Sequence, residues 1–237
     1  MKLPSDKSAN QDIMAIDPDF GQMAVQVGSE VWGLAELSPK ECALLCLVAD
    51  VCSQILDLPF QLHVDMALSN GATRTEVKEV LLHLAPYAGY PATLRAIVRL
   101  KEIYAMFDQQ TQHPAANAPL PDQPEPFHAD KMIQQTLLAL DPQFGQFVIR
   151  QMDQVWSRPG LTPKERAYLS LAVDICYQTL DGPFQSHLKQ ALASGATCEE
   201  IKAVLRFMAE FSFPKAWSAF TALDTFFRAT ADYCQPT

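Results

Sequence analysis

The sequence predicts an all-α protein made of two fused copies of one helical unit. Three observations carry that expectation: a long internal repeat, helix-start signals at matching places in both copies, and apolar periodicity without any alternating β-branched run. Asp17-Pro18-Asp19-Phe20-Gly21-Gln22 recurs as Asp141-Pro142-Gln143-Phe144-Gly145-Gln146, an offset of 124. The same offset carries Leu37-Ser38-Pro39-Lys40-Glu41 onto Leu161-Thr162-Pro163-Lys164-Glu165, and Asp57 to Thr73 onto Asp181 to Thr197. About half the positions agree without a gap, until the offset falls to 123 where Pro91 meets Pro214.

The organisation follows from this register. Residues 1–11 form a polar tail, 12–108 the first copy, 109–128 a linker and 129–234 a diverged second copy. The linker holds Pro114, Pro119, Pro121, Pro124 and Pro126, a density that excludes helix and central strand and favours an extended, semi-rigid segment. Within each copy, Ser38-Pro39-Lys40-Glu41 and Thr162-Pro163-Lys164-Glu165 are capping boxes with proline at the first helical position. Apolar residues then recur through Leu45, Val48, Cys52 and Ile55, and through Leu169, Val173 and Cys176. Asp57 before Pro59 and Asp181 before Pro183 look like caps of a fresh helix. Gly71 and Gly195 end that helix, and Thr73 with Glu76, or Thr197 with Glu200, open the next.

The chain has 237 residues, 49% hydrophobic and 19% charged, with a formal net charge of −9. Length and composition suit two compact domains with buried cores. No apolar run spans a bilayer and the amino terminus lacks a secretion signal, so a cytoplasmic protein is expected. Without a basic face, nucleic acid and anionic membrane are not expected partners. The six cysteines, Cys42, Cys46, Cys52, Cys176, Cys198 and Cys234, form no CxxC pair and no zinc-ligand pattern, which leads us to expect reduced thiols and no metal.

Chemistry concentrates on two helices. Phe60, His63, Val64, Ala67 and Leu68 share one helix face, as do Phe184, His187, Leu188, Ala191 and Leu192, so each copy places a histidine on a buried side. Such an imidazole suits general acid/base work, or sits in a core bonded to a carbonyl or carboxylate. On the preceding helix Asp50, Gln54 and Asp57 form a stripe repeated identically by Asp174, Gln178 and Asp181. These carboxylates can orient an imidazole, cap the next helix or bridge subunits. Cys52 and Cys176 occupy equivalent positions and are either inert core residues or reactive thiols. The copies then diverge: His83, Pro86, Tyr87 and Gly89 become Phe207, Glu210, Phe211 and Phe213. That bulk is expected to shrink a cavity, which makes copy one, or a pocket that it lines, the expected active site and copy two mainly structural.

The run from Glu79 through His83, Pro86, Tyr87, Gly89 and Pro91 to Ala92, preceded by His63 and Asn70-Gly71-Ala72-Thr73, resembles the carboxymuconolactone decarboxylase family. The likeness covers Leu37 to Leu100, and more weakly Leu161 to Leu223. It implies an alkylhydroperoxidase D-like helical fold and a cofactor-free enzyme. The peroxidase branch carries a CxxC before its histidine; here those positions hold Leu56 and Pro59, and Leu180 and Pro183. The decarboxylase branch tends to carry glutamates there, where Pro59, Gln61, Pro183 and Gln185 stand. His63 and His83 are the residues that carry over. Six-subunit rings in the family imply a homo-oligomer of this two-copy chain, a trimer imitating a hexamer.

Three functions follow as expectations. One is a lyase or isomerase for a small carboxylated or lactone substrate, with His63 as acid/base set by Asp50 or Asp57, and His83 or Gln61 holding an oxygen. Gln54, Tyr87 and Arg95 complete the expected binding set, with Arg74 a further anchor and His187, Asp174 and Gln185 the equivalents in copy two. The others are a thiol-dependent antioxidant enzyme using Cys52 or Cys176, and a non-catalytic oligomeric binding protein.

Overall fold

The computed structural model describes residues 14–110 and 131–230, and every regular element among them is helical. Copy one contributes α1 (Pro18–Val31), α2 (Pro39–Ser53), α3 (Leu58–Ser69), α4 (Arg74–Ala88) and α5 (Tyr90–Gln109). Copy two contributes α6 (Lys131–Leu140), α7 (Pro142–Trp156), α8 (Pro163–Tyr177), α9 (Gly182–Ala193), α10 (Cys198–Met208) and α11 (Phe213–Ala229). The tail 1–11, the prolines expected to form the linker, and Cys234 lie outside the described residues. Helix α5 runs on to Gln109.

Helix starts follow local chemistry. Complete, reciprocal capping boxes open α2, α4, α8 and α10, each satisfying backbone N–H groups that the first turn leaves unpaired. Asp57 and Asp181 behave differently from the cap expected of them. Both stand at the N-cap position of α3 and α9, yet neither side chain makes a capping bond, and backbone ψ near −133° and −121° departs from the extended conformation that capping side chains need. The preceding helices end on left-handed residues instead, Gln54 at φ 56° and Gln178 at φ 58°, whose amides fold back onto Val51 and Ile175 carbonyls.

Helices α2 and α8 are the centre of the molecule. Ten consecutive residues of α2, Cys42 to Val51, and eleven of α8, Glu165 to Ile175, are buried on every face. A helix enclosed all round must be apolar all round, and α2 nearly is. Helix α8 is the exception, carrying Glu165, Arg166, Ser170 and Asp174 inside. The two central helices pack on each other, α3 lies on α2, α9 on α8, and α4 contacts both α2 and α8. The buried apolar residues of both copies form one continuous cluster. The two copies thus share one apolar interior across the contact between α2 and α8. Among the described residues, no helix is long and apolar enough to cross a membrane.

Candidate active site

Each copy builds an aspartate–histidine pair from its central helix and the helix that follows. His63 Nδ1 lies 2.7 Å from Asp50 Oδ2, and His187 Nδ1 lies 2.6 Å from Asp174 Oδ2. An ionised carboxylate only accepts, so Nδ1 carries the proton in both pairs and Nε2 keeps its lone pair for other work. Thr179 Oγ1 also donates to Asp174 at 2.7 Å, a second bond that fixes the carboxylate of copy two. Burial pushes the Asp50 carboxyl above its ordinary value, against the pull of His63. His187 is the more enclosed imidazole, its side chain 5% exposed against 20% for His63.

The dyads face across the molecule. Helix α4 of copy one presents His83 and Tyr87 to the dyad of copy two, with the Tyr87 and His187 rings 5.6 Å apart edge to face. Trp156 of α7 stacks on His187 at 6.2 Å and meets His83 edge-on at 5.4 Å. In the opposite crossing, Phe211 stands 6.3 Å from the His63 ring, and Phe207 packs against Trp32 at 5.6 Å. Two phenyl rings thus replace an imidazole and a phenol at equivalent places.

A cleft of about 790 Å³ opens at the copy-two dyad, lined by His187, Asp174, Thr179, Gln185 and Lys189 of copy two and by Tyr87, Gly89 and Tyr90 of copy one. Its apolar wall comes from Ile133, Leu137, Phe147, Val148 and Met152 on α6 and α7. Gly89 lets α4 stop at the rim: its φ of 98° is one that side chains resist, and the chain turns there into α5. The polar α4 of copy one lines this pocket, and the dyad that borders it is Asp174–His187 of copy two. His63 and Asp50 do meet, with aromatic bulk beside them. Helical periodicity shows which face a residue occupies and not which copy covers it.

Behind the cleft lies a buried polar cluster. His83, fully buried, places Nε2 2.9 Å from Ser170 Oγ and Nδ1 3.5 Å from Arg166 Nη1. Burial holds His83 well below the usual histidine range, and the nearby Arg166 and His187 charges add to that. Arg166, also fully buried, donates to the Arg158 carbonyl at 2.7 Å and lies 4.0 Å from Glu79, while Arg158 grips Glu79 with two bonds of 2.7 Å. Gly160 permits this approach, since a Cβ there would stand 2.9 Å from Glu79 Cγ. Trp156 Nε1 donates to the Tyr87 hydroxyl at 2.8 Å, and burial raises the Tyr87 phenol to about 12. Sequence reasoning overlooked Glu79, Trp156, Arg158, Arg166 and Ser170. The available signal was the polar content of a central helix whose counterpart reads Cys42 and Cys46 at the places of Arg166 and Ser170.

Other expected site residues are held elsewhere. Gln61 accepts from Arg99 at 3.2 Å, Gln54 terminates α2, and Arg95 approaches only the Gln54 amide, at 3.4 Å, among the bonds described. Arg74 pairs with Asp108 at 2.7 Å and lies over the Tyr104 ring, and neither arginine is among the residues lining the cleft. Asp57 is likewise absent from the cleft lining. Cys52 and Cys176 adjoin each other where α2 and α8 end, rather than joining a dyad, and the Cys176 thiol together with burial pushes Cys52 up. Cys42, Cys46, Cys52 and Cys176 are free, and burial raises the Cys42 thiol to about 12. The expectation of reduced thiols does not extend to Cys198, which is disulfide-bonded. No group of three or more histidine, cysteine or acidic side chains converges among the described residues.

The carboxymuconolactone decarboxylase family pattern matches residues 18–102 and 142–225, one match per copy. Nitrosuccinic acid decarboxylase of Metarhizium robertsii is 38% identical over 80 residues, 33% of this chain and 55% of that protein. The 4-carboxymuconolactone decarboxylase of Acinetobacter baylyi is 31% identical over 75 residues, 32% of this chain and 55% of that protein. The aligned stretch thus spans about half the length of these curated relatives. The crystal structure of a putative gamma-carboxymuconolactone decarboxylase subunit from Burkholderia xenovorans superposes with a TM-score of 0.53 at 20% identity, covering 94% of this chain and 92% of that one, and supports the fold. With both repeats matched over most of their length, the chain belongs to the carboxymuconolactone decarboxylase family.

Proposed function

We propose that this protein is a lyase for a small carboxylated substrate, with His187 as its general acid/base and Asp174 as the group that orients it. The observation that carries the reading is the 790 Å³ cleft that meets a desolvated imidazole with Nε2 free for a ligand. Both curated relatives are named decarboxylases, and both names describe an acid bearing a second electron-accepting group, lactone or nitro. In the reaction, His187 first takes a solvent proton at Nε2, giving an imidazolium paired with ionised Asp174. The C–C bond to the substrate carboxylate breaks, carbon dioxide leaves, and the electron pair passes into the conjugated acceptor. The imidazolium then gives its proton to the carbon that holds the charge. The apolar wall on α6 and α7 disfavours the charged carboxylate over the neutral product. Lys189 supplies the rim with a cation for the incoming anion.

The test is turnover of a γ-carboxylactone by the full chain in deuterated water, followed by NMR. One deuterium is expected on a carbon of the conjugated system that takes up the charge, and Asp174→Asn should slow turnover by about 10²-fold or more. Undiminished turnover in that variant rejects the assigned pair. The proposed assembly of copies into a trimer would bury exposed apolar side chains such as Phe20, Met23, Phe144 and Phe147. Sedimentation at the single-chain mass of 26.3 kDa would reject it.

A further inference from the structure

We propose that the Tyr87 hydroxyl donates the hydrogen bond that receives the substrate's charge-gaining oxygen, carbonyl or nitro, with Trp156, Ser170, His83 and Arg166 as positioning residues that aim its proton into the cleft. The identity of the substrate rests on the lyase reading; the direction of the bond rests first on the geometry of Trp156, Arg166 and His83.

The direction follows from groups that can only donate. An indole N–H has no acceptor capacity, so at 2.8 Å Trp156 spends a lone pair of the Tyr87 oxygen and leaves the phenol's own hydrogen to go elsewhere. A guanidinium likewise only donates. Arg166 faces His83 Nδ1 at 3.5 Å, which makes Nδ1 the acceptor and leaves the proton on Nε2, pointing at Ser170 Oγ 2.9 Å away. Ser170 therefore accepts from His83, and its hydrogen is free to turn to Tyr87, whose phenol it pulls down against the upward push of burial. Trp156 thus occupies one side of the Tyr87 oxygen, and Tyr87 itself belongs to the wall of the cleft. Because the phenol is raised to about 12, it keeps its proton at neutral pH and serves as a donor.

The spacing suits the chemistry. Ring centroids of Tyr87 and His187 lie 5.6 Å apart, leaving a small conjugated acid to present its acceptor oxygen to one and the adjoining carbon to the other. Preorganised donors aimed at an oxygen that gains charge are effective because they need no rearrangement during the reaction. The other half of the molecule lacks the device entirely. Phe211, Phe207, Cys46 and Cys42 stand where Tyr87, His83, Ser170 and Arg166 stand here.

The probe is 4-nitrophenolate, an anionic oxygen on a flat conjugated body, titrated into the full chain at mildly alkaline pH and read by its visible absorbance. Tyr87→Phe should weaken its binding by about tenfold or more, the loss expected for a hydrogen bond to a charged group. Ser170→Ala should weaken it in the same direction by a smaller factor, and it preserves the test should Tyr87→Phe fail to fold. Failure of the unaltered protein to bind the probe, or equal binding by the variants, overturns the assignment. With a lactone substrate, Tyr87→Phe should lower kcat by about 10²-fold with KM little changed, whereas a raised KM at unaltered kcat contradicts it. Turnover surviving in His187→Asn would sink the lyase reading instead, and the nitrophenolate titration does not depend on that outcome.

Discussion

The two crossings between copies have the same backbone design and opposite interiors. At one, Asp174–His187 looks onto Tyr87, His83, Ser170 and Arg166 beside an open cleft; at the other, Asp50–His63 looks onto Phe211, and the remaining equivalents are Phe207, Cys46 and Cys42. The dyads themselves are nearly superimposable in bond length, 2.6 against 2.7 Å. Their difference teaches that the dyad belongs to the fold, while its surroundings are set by what the other copy places against it. Duplication within one chain frees each crossing to change alone. One carries polar groups that cost stability when unpaired, and the other has two rings and two thiols in their places, an exchange that for a buried ionic cluster is neutral or stabilising.

Breaking the polar side should therefore cost more than touching the apolar one. The largest effect on stability is expected from Glu79→Ala, which leaves the enclosed Arg166 and its neighbour Arg158 without their carboxylate. Removing one partner of a buried charge cluster costs about 3–5 kcal/mol, read as a lower midpoint in urea denaturation. Copy two already has Ala203 at the equivalent place and needs no such partner. A midpoint unchanged in Glu79→Ala would mean that the arginine charge is hydrated after all.

A smaller effect concerns pH. The folded state holds His83 well below its ordinary value of 6.5, while the unfolded chain takes up a proton near that value. Below pH 6.5 the unfolded state therefore binds more protons, so this residue's contribution to stability is complete above 6.5 and declines as pH falls towards the folded pKa. The slope is at most about 1.4 kcal/mol per pH unit. His83→Phe, which copies Phe207, should flatten the stability profile between mildly acidic and neutral pH. Asp50 and Glu210, both raised by burial, titrate in the parent and the variant alike and cancel in the difference. Identical slopes would place His83 in contact with water.

The smallest effect is expected from the thiols. Cys52 and Cys176 adjoin each other away from both dyads, and Cys176 is not among the residues lining the cleft although its neighbour Tyr177 is. Cys52→Ser should leave turnover unchanged. Loss of activity in that variant would revive the thiol-dependent reading.

Much of this architecture was legible in the chain itself. The repeat, four capping boxes and two central helices follow from local rules, because each needs only residues within one or two turns of one another. Asp50 with His63, and Asp174 with His187, were within reach for the same reason: both pairs are thirteen positions apart, across a single helix junction. The composite cleft was not. His83 meets Ser170 across 87 positions and Arg158 meets Glu79 across 79, and periodicity carries no information on which distant helix closes a face. A correlated reading would have helped. Four positions, occupied by Glu79, His83, Arg166 and Ser170 on one side and by Ala203, Phe207, Cys42 and Cys46 on the other, change from polar to apolar together. Asp57 and Asp181 show the opposite limit, since a residue type that favours caps here occupies the position without making the bond.

The most direct measurement sets His187→Asn beside His63→Asn, each assayed for γ-carboxylactone turnover once its fold has been checked by thermal melting. Loss of activity by about 10²-fold or more is expected in the first and none in the second, because His187 is the histidine that borders the cleft and faces Tyr87 among the described residues. Equal losses in both, or a loss confined to His63→Asn, would contradict a single working crossing.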